Sequence, residues 1–110
     1  MNKNLLEKKC VPCEGGVSPF TKEKIRSYLE EVPEWHLISD DSSISRTFIF
    51  KNFKEAVVFV NKVADIAETE GHHPDIRIYA YKNVQLHLST HVIGGLSEND
   101  FILATKINQL

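Results

Sequence analysis

One amphipathic segment constrains the fold more than any other part of this sequence. Between Asn52 and Gly71, apolar residues recur at the spacing of one helix face, and they are Phe53, Ala56, Val57, Val60, Val63, Ala64 and Ala67. Asn52 with Glu55 three residues later is typical of a helix start, and a glycine is typical of a helix end. The pattern predicts a long helix in the middle of the chain.

Short segments rich in β-branched and aromatic residues lie on both sides of this helix. Before it, residues 35–38 and 44–50 flank a polar turn and predict a β-hairpin. After it, residues 76–81 and 84–89 predict a second hairpin, with residues 82–83 as a two-residue turn. Two hairpins separated by a helix favour one four-stranded antiparallel sheet.

Two further helices complete the predicted order of elements. Ser18 as cap and Pro19 at the first helical position begin a helix that ends before Pro33. Ser97, with Asp100 three residues later, opens the last helix. The predicted order is αββαββα. We therefore expect an α+β fold, in which three helices cover a four-stranded antiparallel sheet.

Composition and charge exclude several classes of function. The 110 residues, of which 42% are hydrophobic, suit one domain with an ordinary core. The balance of 13 basic against 15 acidic residues, with no dense basic cluster, argues against binding of nucleic acid. No apolar run has the length of a signal peptide or membrane span, so we expect a soluble cytosolic protein. The small core favours association into an oligomer.

The first 17 residues lack sustained periodicity and predict a flexible tail, which leaves residues 18–110 as the domain. This tail contains a Cys-x-x-Cys pair, Cys10 and Cys13. A structural zinc site needs four ligands, and no second cysteine or histidine pair is nearby. We therefore expect no metal site and no catalytic duty for the pair. Metal binding, a disulfide and partner docking remain the alternatives.

Three of the five histidines lie close to predicted turns or strand ends. His72 and His73 follow Gly71 on an extended chain, where neighbouring side chains point apart, so one ring can face a ligand while the other orients or encloses it. If the second hairpin stays extended as far as His91, that ring shares a face with Ser89. Imidazoles that converge from two parts of the chain suit proton transfer near neutral pH.

These residues also belong to a recognisable pattern. Residues 68–74 (Glu-Thr-Glu-Gly-His-His-Pro), Tyr81, residues 89–91 (Ser-Thr-His) and residues 94–100 (Gly-Gly-Leu-Ser-Glu-Asn-Asp) closely resemble the signature of the pterin-4a-carbinolamine dehydratases. The resemblance spans roughly residues 19–110. It implies a four-stranded antiparallel sheet with three helices and a tetramer built from two dimers. It also implies chemistry without a metal or redox cofactor.

The resemblance further implies a reaction and the residues that perform it. The family dehydrates the 4a-hydroxytetrahydropterin left by aromatic amino acid hydroxylases, which gives a quinonoid dihydropterin and water. Proton transfer is assigned to His72 and His91, while His73 binds the substrate and can share in catalysis. Further backbone or hydroxyl contacts to the pterin are expected from the residues that flank these rings, which are Gly71, Ser89, Thr90 and Val92.

Four other residues have competing interpretations. Asp100 fits a capping arrangement at the start of the last helix, whereas its place in the signature implies that it orients a histidine. Glu68 belongs to a solvated helix face or polarises His72. We expect Tyr81 and Trp35 to serve in packing rather than in stacking on a pterin.

Two alternative functions stay open at this stage. The same fold can serve as a non-enzymatic binding or assembly factor, and the three intact histidines argue against that reading. The enzyme could also act on pterins of molybdenum cofactor or folate metabolism, and no residue separates those pterins from tetrahydrobiopterin. Genomic neighbourhood would bear on the pathway served.

Overall fold

The computed structural model describes residues 3–12, 17–38 and 40–110. Within these residues the helices and strands are α1 Lys22–Leu29, β1 His36–Ile38, β2 Ser43–Ile49, α2 Phe53–Glu70, β3 Asp75–Tyr79, β4 Asn83–Leu88 and α3 Glu98–Ile107. The strands form one antiparallel sheet in the order β1-β2-β4-β3. The predicted α+β fold and its order of elements are confirmed. No helix among the described residues is long and apolar enough to cross a membrane.

Helix α2 begins and ends where its sequence signals predict. The Asn52 side chain accepts a hydrogen bond from the backbone N–H of Glu55 at 2.9 Å, and Gly71 ends the helix with a φ of 68°. Its buried face consists of Ala56, Phe59, Val63 and Ala67. The alternate residues Val84, Leu86 and Leu88 of β4 are fully buried in the same core. Helix α2 therefore ends at a fixed position relative to the end of β4.

Helix α1 begins later than the sequence predicted. Thr21, and not Ser18, caps it, because the Thr21 side chain accepts a hydrogen bond from the N–H of Lys24. The residues before the cap pack on the loop that precedes α3. There, Phe20 donates its N–H to the carbonyl of Leu96 at 2.8 Å, and a Cβ on Gly95 would lie 2.6 Å from Pro19 Cβ. Pro19 therefore packs closely against Gly95 and does not initiate the helix.

The turn between β3 and β4 also differs from the prediction. It has three residues, 80–82, because Asn83 already pairs with Tyr79 in the ladder. Ala80 and Tyr81 have φ values of 47° and 54°, a left-handed conformation that their side chains disfavour and that the sequence did not signal. The Tyr81 side chain is 60% exposed at this turn, so its predicted packing role is wrong. Trp35, which is 2% exposed, does pack in the core.

The chain leaves the sheet before it reaches His91. Strand β4 ends at Leu88, and Thr90 forms an isolated bridge with Gly95. Residues His91–Ile93 then form a 3₁₀ helix that ends at Gly94, whose φ is 69°. The condition that the chain stays extended as far as His91 is therefore not met, and the His91 side chain is carried by this 3₁₀ turn.

The N-terminal residues that the structure describes are attached to the rest of the chain. Leu5, in a 3₁₀ helix Leu5–Glu7, is 2% exposed and belongs to the hydrophobic core. Lys8 Nζ lies 2.8 Å from a carboxylate oxygen of Glu98 on α3. Residues 3–12, where the sequence predicted a flexible tail, thus contact the rest of the domain, chiefly through the buried Leu5. Cys13 lies outside the described residues.

Candidate active site

A cleft of about 290 Å³ opens between the end of α2, the loop after β4 and the start of α3. It is lined by all seven residues from which the sequence predicted substrate contacts, namely Gly71, His72, His73, Ser89, Thr90, His91 and Val92. Three further lining residues, Val11, Pro12 and Asn99, were not predicted. The volume is at the lower end of the range for small-molecule sites. The structure thus brings the predicted residues together.

A buried carboxylate holds His72. Gly71 reverses the chain after α2, and His72 Nε2 lies 2.7 Å from Asp100 Oδ1 on α3. The His72 side chain is 12% exposed and the Asp100 side chain is fully buried. Such a pair restricts the imidazole to one orientation at the wall of the cleft. This direct contact supports the predicted role of Asp100 in orienting a histidine.

The other contacts of Asp100 determine which nitrogen of His72 carries the proton. Asp100 Oδ2 accepts hydrogen bonds from the Thr90 hydroxyl at 2.8 Å and from the Ser97 N–H at 3.0 Å. Two donors thus bind one oxygen of Asp100, and the His72 ring binds the other oxygen. An ionised carboxylate can accept hydrogen bonds at both oxygens, so we assign the His72 proton to Nε2, which donates to Asp100. The unprotonated Nδ1 is then the nitrogen that can accept a proton from a ligand. Asp100 also caps α3, so it both stabilises the start of that helix and contacts a histidine.

Glu68 contacts His73 and not His72. The distance from Glu68 Oε2 to His73 Nε2 is 2.5 Å, and these side chains are 78% and 59% exposed. The two rings diverge because neighbouring side chains on an extended chain point apart, so the suggestion that Glu68 polarises His72 is wrong. An exposed pair of this kind is screened by water and contributes little to stability. His73 lies on the solvent side of the cleft.

The loop after β4 supplies the second exposed imidazole. The His91 side chain is exposed, and its ring makes no hydrogen bond to another described residue, which leaves both nitrogens open to a ligand. Thr90, by contrast, is 3% exposed, and its hydroxyl contacts both Asp100 and Ser97. The Thr90 hydroxyl therefore supports Asp100 rather than supplying the expected contact to a pterin.

A second cleft of about 330 Å³ shares Ser89 and His91 with the first. Its other lining residues include Asp75 and His87, which face each other across β3 and β4. No hydrogen bond joins these two side chains among the described residues, so the second cleft lacks an oriented histidine. The His72 cleft is the stronger candidate for proton transfer. No cluster of three metal-ligating side chains occurs in the part of the chain that the structure describes.

The Cys10 thiol is an unreactive group beside this cleft. Its Sγ lies 3.5 Å from the carbonyl oxygen of Asn99, and burial together with the nearby Glu70 carboxylate raises its pKa to about 12. Burial also acts to raise the pKa of Glu70. The Lys106 ammonium at 2.6 Å and the Cys10 N–H outweigh that effect, and the pKa of Glu70 is lowered. Cys10 is therefore protonated at neutral pH.

Alkylation of Cys10 should be slow and strongly dependent on pH. In a Cys13→Ser variant, iodoacetamide should react at pH 8 at least about 10²-fold more slowly with the folded protein than with the same protein unfolded in urea. Between pH 7 and pH 10 the folded rate should rise about tenfold per pH unit, because the thiolate fraction does so below the pKa. A plateau below pH 10 would contradict the raised pKa.

An α+β fold that presents a carboxylate-bound histidine and a second, unpaired histidine to one cleft defines a protein equipped for acid-base chemistry on a small molecule. The comparisons with known proteins agree with this class. A family model described as "Pterin 4 alpha carbinolamine dehydratase" matches residues 18–110. The chain belongs to that family.

Individual relatives extend this result over nearly the whole chain. A protein of Halorhodospira halophila, provisionally named a pterin-4-alpha-carbinolamine dehydratase, is 48% identical over 107 residues, which cover 97% of each chain. The mitochondrial pterin-4-alpha-carbinolamine dehydratase 2 of Arabidopsis thaliana is 44% identical, over 97% of this chain and 59% of its own.

Solved structures show the same fold. The crystal structure of a transcriptional coactivator/pterin dehydratase from Brucella melitensis matches with a TM-score of 0.77 and 32% identity, covering 84% of this chain and 97% of that one. A pterin dehydratase-like protein identified as a RuBisCO assembly factor matches with a TM-score of 0.58 and 18% identity, covering 69% and 87%. The latter likeness concerns the fold alone.

Proposed function

We propose that this protein dehydrates a 4a-hydroxytetrahydropterin to a quinonoid dihydropterin and water, in the recycling of a tetrahydropterin such as tetrahydrobiopterin. The observation that carries the proposal is one cleft lined by three imidazoles, of which that of His72 is held by a buried carboxylate. Membership of the dehydratase family supports the substrate class. In this proposal an aromatic amino acid hydroxylase supplies the substrate. A cytosolic location stays a prediction.

The reaction needs two proton transfers at neighbouring atoms. A proton leaves the ring nitrogen beside C4a, a carbon–nitrogen double bond forms, and the C4a–oxygen bond breaks as the hydroxyl takes up a proton and leaves as water. No electrons enter or leave the substrate overall. The chemistry therefore calls for one base and one acid, and not for a redox cofactor.

His72 serves as the base in this proposal. Its Nε2–H donates to Asp100, so Nδ1 is the nitrogen that accepts the proton of the pterin ring. The imidazolium that forms gains the attraction of a carboxylate that is buried and already aligned by Thr90 and Ser97. Asp100 thus stabilises the charge that develops on His72 during the reaction.

His91 serves as the acid that protonates the 4a hydroxyl. Its exposed ring has no partner among the described residues, so it can give a proton to the ligand and recover one from water. His73 holds the outer edge of the substrate beside Gly71, while Ser89 and Val92 contact it from the opposite loop. Each turnover ends with His72 returning its proton to solvent.

The dehydration rate of enzymatically generated 4a-hydroxytetrahydropterin tests this function. The substrate also dehydrates spontaneously, so absorbance should be followed with and without the purified protein. An acceleration proportional to protein concentration supports the proposal. A rate equal to the spontaneous one would contradict it and would favour the alternative of a non-enzymatic binding or assembly factor.

Asp100→Asn should lower kcat/KM for dehydration by about 10²-fold. Asparagine retains the size of the side chain but loses the charge, and its amide group places a donor where Asp100 accepts hydrogen bonds. His72 then loses both its fixed tautomer and the stabilisation of its charged form. Asp65→Asn, the same change at an exposed position of α2, is the matched control. A wild-type rate in folded Asp100→Asn would contradict the assigned proton position.

We also propose that the protein forms a homotetramer, as a dimer of dimers. Large apolar side chains remain exposed on β2, α2 and β3, and they are Ile49, Phe53, Val58 and Ile76. Covering these side chains by association would stabilise a chain with a small core. Light scattering at micromolar concentration should give four times the 12.5 kDa mass of the chain. A monomeric mass would contradict the proposal.

A further inference from the structure

We infer that Val11 and Pro12 form a wall of the pterin site, and that this wall contributes to substrate affinity without taking part in proton transfer. The inference rests on the proposed function, because it takes the cleft of His72 and His91 as the pterin site. Val11 and Pro12 both line that cleft, although they are far from the cleft histidines in the sequence. A segment expected to be a flexible tail would thus help to determine ligand binding.

Exposed apolar side chains mark the position of the wall. Val11 is 64% exposed and Val92 is 55% exposed, and both residues line the cleft that contains His72. Apolar groups that line a polar cleft and are left in water lower the free energy of the complex when a ligand covers them. A flat heteroaromatic ring suits such a place, since its faces are apolar and its edge is polar. The histidines and Ser89 are available to that edge.

Asn99 fixes the wall in position. Its side chain, which is 4% exposed, forms two hydrogen bonds with the backbone of Val11. Asn99 Oδ1 accepts from the Val11 N–H at 3.0 Å, and Asn99 Nδ2 donates to the Val11 carbonyl at 2.6 Å. Asn99 precedes Asp100 in the first turn of α3, so one turn of helix positions both Val11 and the His72 side chain.

A second anchor holds the residue before Val11. The Cys10 N–H donates to Glu70 Oε1 at 2.8 Å, and Glu70 Oε2 accepts from Lys106 at 2.6 Å. The Glu70 side chain is 5% exposed, so this contact is sheltered from water. Since hydrogen bonds to α2 and α3 hold the wall within the protein itself, binding need not restrict it further, and little of its contact energy is lost to ordering.

Val11→Ser tests the wall without a risk to folding, because the side chain is exposed. The dissociation constant for 7,8-dihydrobiopterin, measured by titration, should rise about five- to tenfold, because an apolar contact with the ring is lost. KM for dehydration should rise by a similar factor while kcat stays within about twofold of wild type, as expected when only uniform binding is removed. Asn99→Ala, which frees the backbone of Val11, should give the same pattern.

Leu6→Ser is the matched control, because Leu6 is an exposed apolar residue of the same segment that does not line the cleft. It should leave the dissociation constant and both kinetic constants unchanged. If wild type accelerates dehydration and Val11→Ser binds the dihydropterin as tightly as wild type does, the wall is wrong while the dehydratase function stands. If Val11→Ser weakens binding but wild type does not accelerate dehydration, the wall stands and the function fails. A wild type that neither binds the dihydropterin nor accelerates dehydration overturns both.

Discussion

Replacing His72 with alanine should lower kcat/KM for dehydration by about 10²- to 10⁴-fold, the usual contribution of one general base. His72 is the histidine whose Nε2 is fixed by Asp100, so its loss removes both the proton acceptor and the charge pair that forms during the reaction. The loss should appear mainly in kcat, because the proton moves only in the transition state. Stopped-flow absorbance with enzymatically generated substrate measures it.

The His72→Ala variant must be shown to fold, because the substitution removes one hydrogen-bond partner of the buried Asp100. Asp100 keeps the Thr90 hydroxyl and the Ser97 N–H, so circular dichroism should be unchanged and stability should fall by about 1–3 kcal/mol. His36→Ala, on the exposed end of β1, should be silent in both measurements. A folded His72→Ala variant with a wild-type kcat would show that another group is the base.

Replacing His91 with alanine should reduce the rate by a comparable factor of about 10²- to 10⁴-fold, with no loss of stability. The ring is exposed and forms no hydrogen bond with another described residue, so the fold does not depend on it. Added imidazole should restore part of the rate in this variant, because the cleft is open and the missing group is a proton donor. Rates at increasing imidazole concentration measure the effect.

Two results would count against His91 as the acid. One is a rate that stays near wild type under conditions where chemistry limits turnover. The other is a low rate that imidazole does not change, accompanied by a large increase in the dissociation constant for 7,8-dihydrobiopterin. That second pattern would make His91 a binding residue and would require a different proton donor. His73, in the same cleft, would be the next candidate.

Local signals in the sequence predicted most of the fold, because the main helices begin after a residue whose side chain caps them or end at a glycine that adopts a left-handed conformation. Asn52 and Gly71 define α2 in this way, and Ser97 precedes α3 as expected. Prediction failed where a distant contact determines the conformation. Pro19 packs on Gly95 instead of starting α1, and the left-handed Ala80 has no signal in its own sequence.

The candidate site, too, could be predicted from the sequence only in part. His72 and His91 could be proposed from turn positions and from the family pattern. Neither spacing nor periodicity shows that Asp100 contacts His72 while Glu68 contacts His73. The contact of Asn99 with Val11 joins residues at opposite ends of the chain. A sequence pattern carries no information about such a pair, because it depends on how the folded elements pack.

The most direct test of the account is a double-mutant cycle on dehydration, comparing wild type, His72→Ala, His91→Ala and the double variant. If the two rings act as base and acid in one transition state, their combined loss is smaller than the product of the single losses, and the double variant lies close to the slower single variant. Losses that multiply would show that the rings act independently. A double variant that retains the wild-type rate would contradict the proposed site altogether.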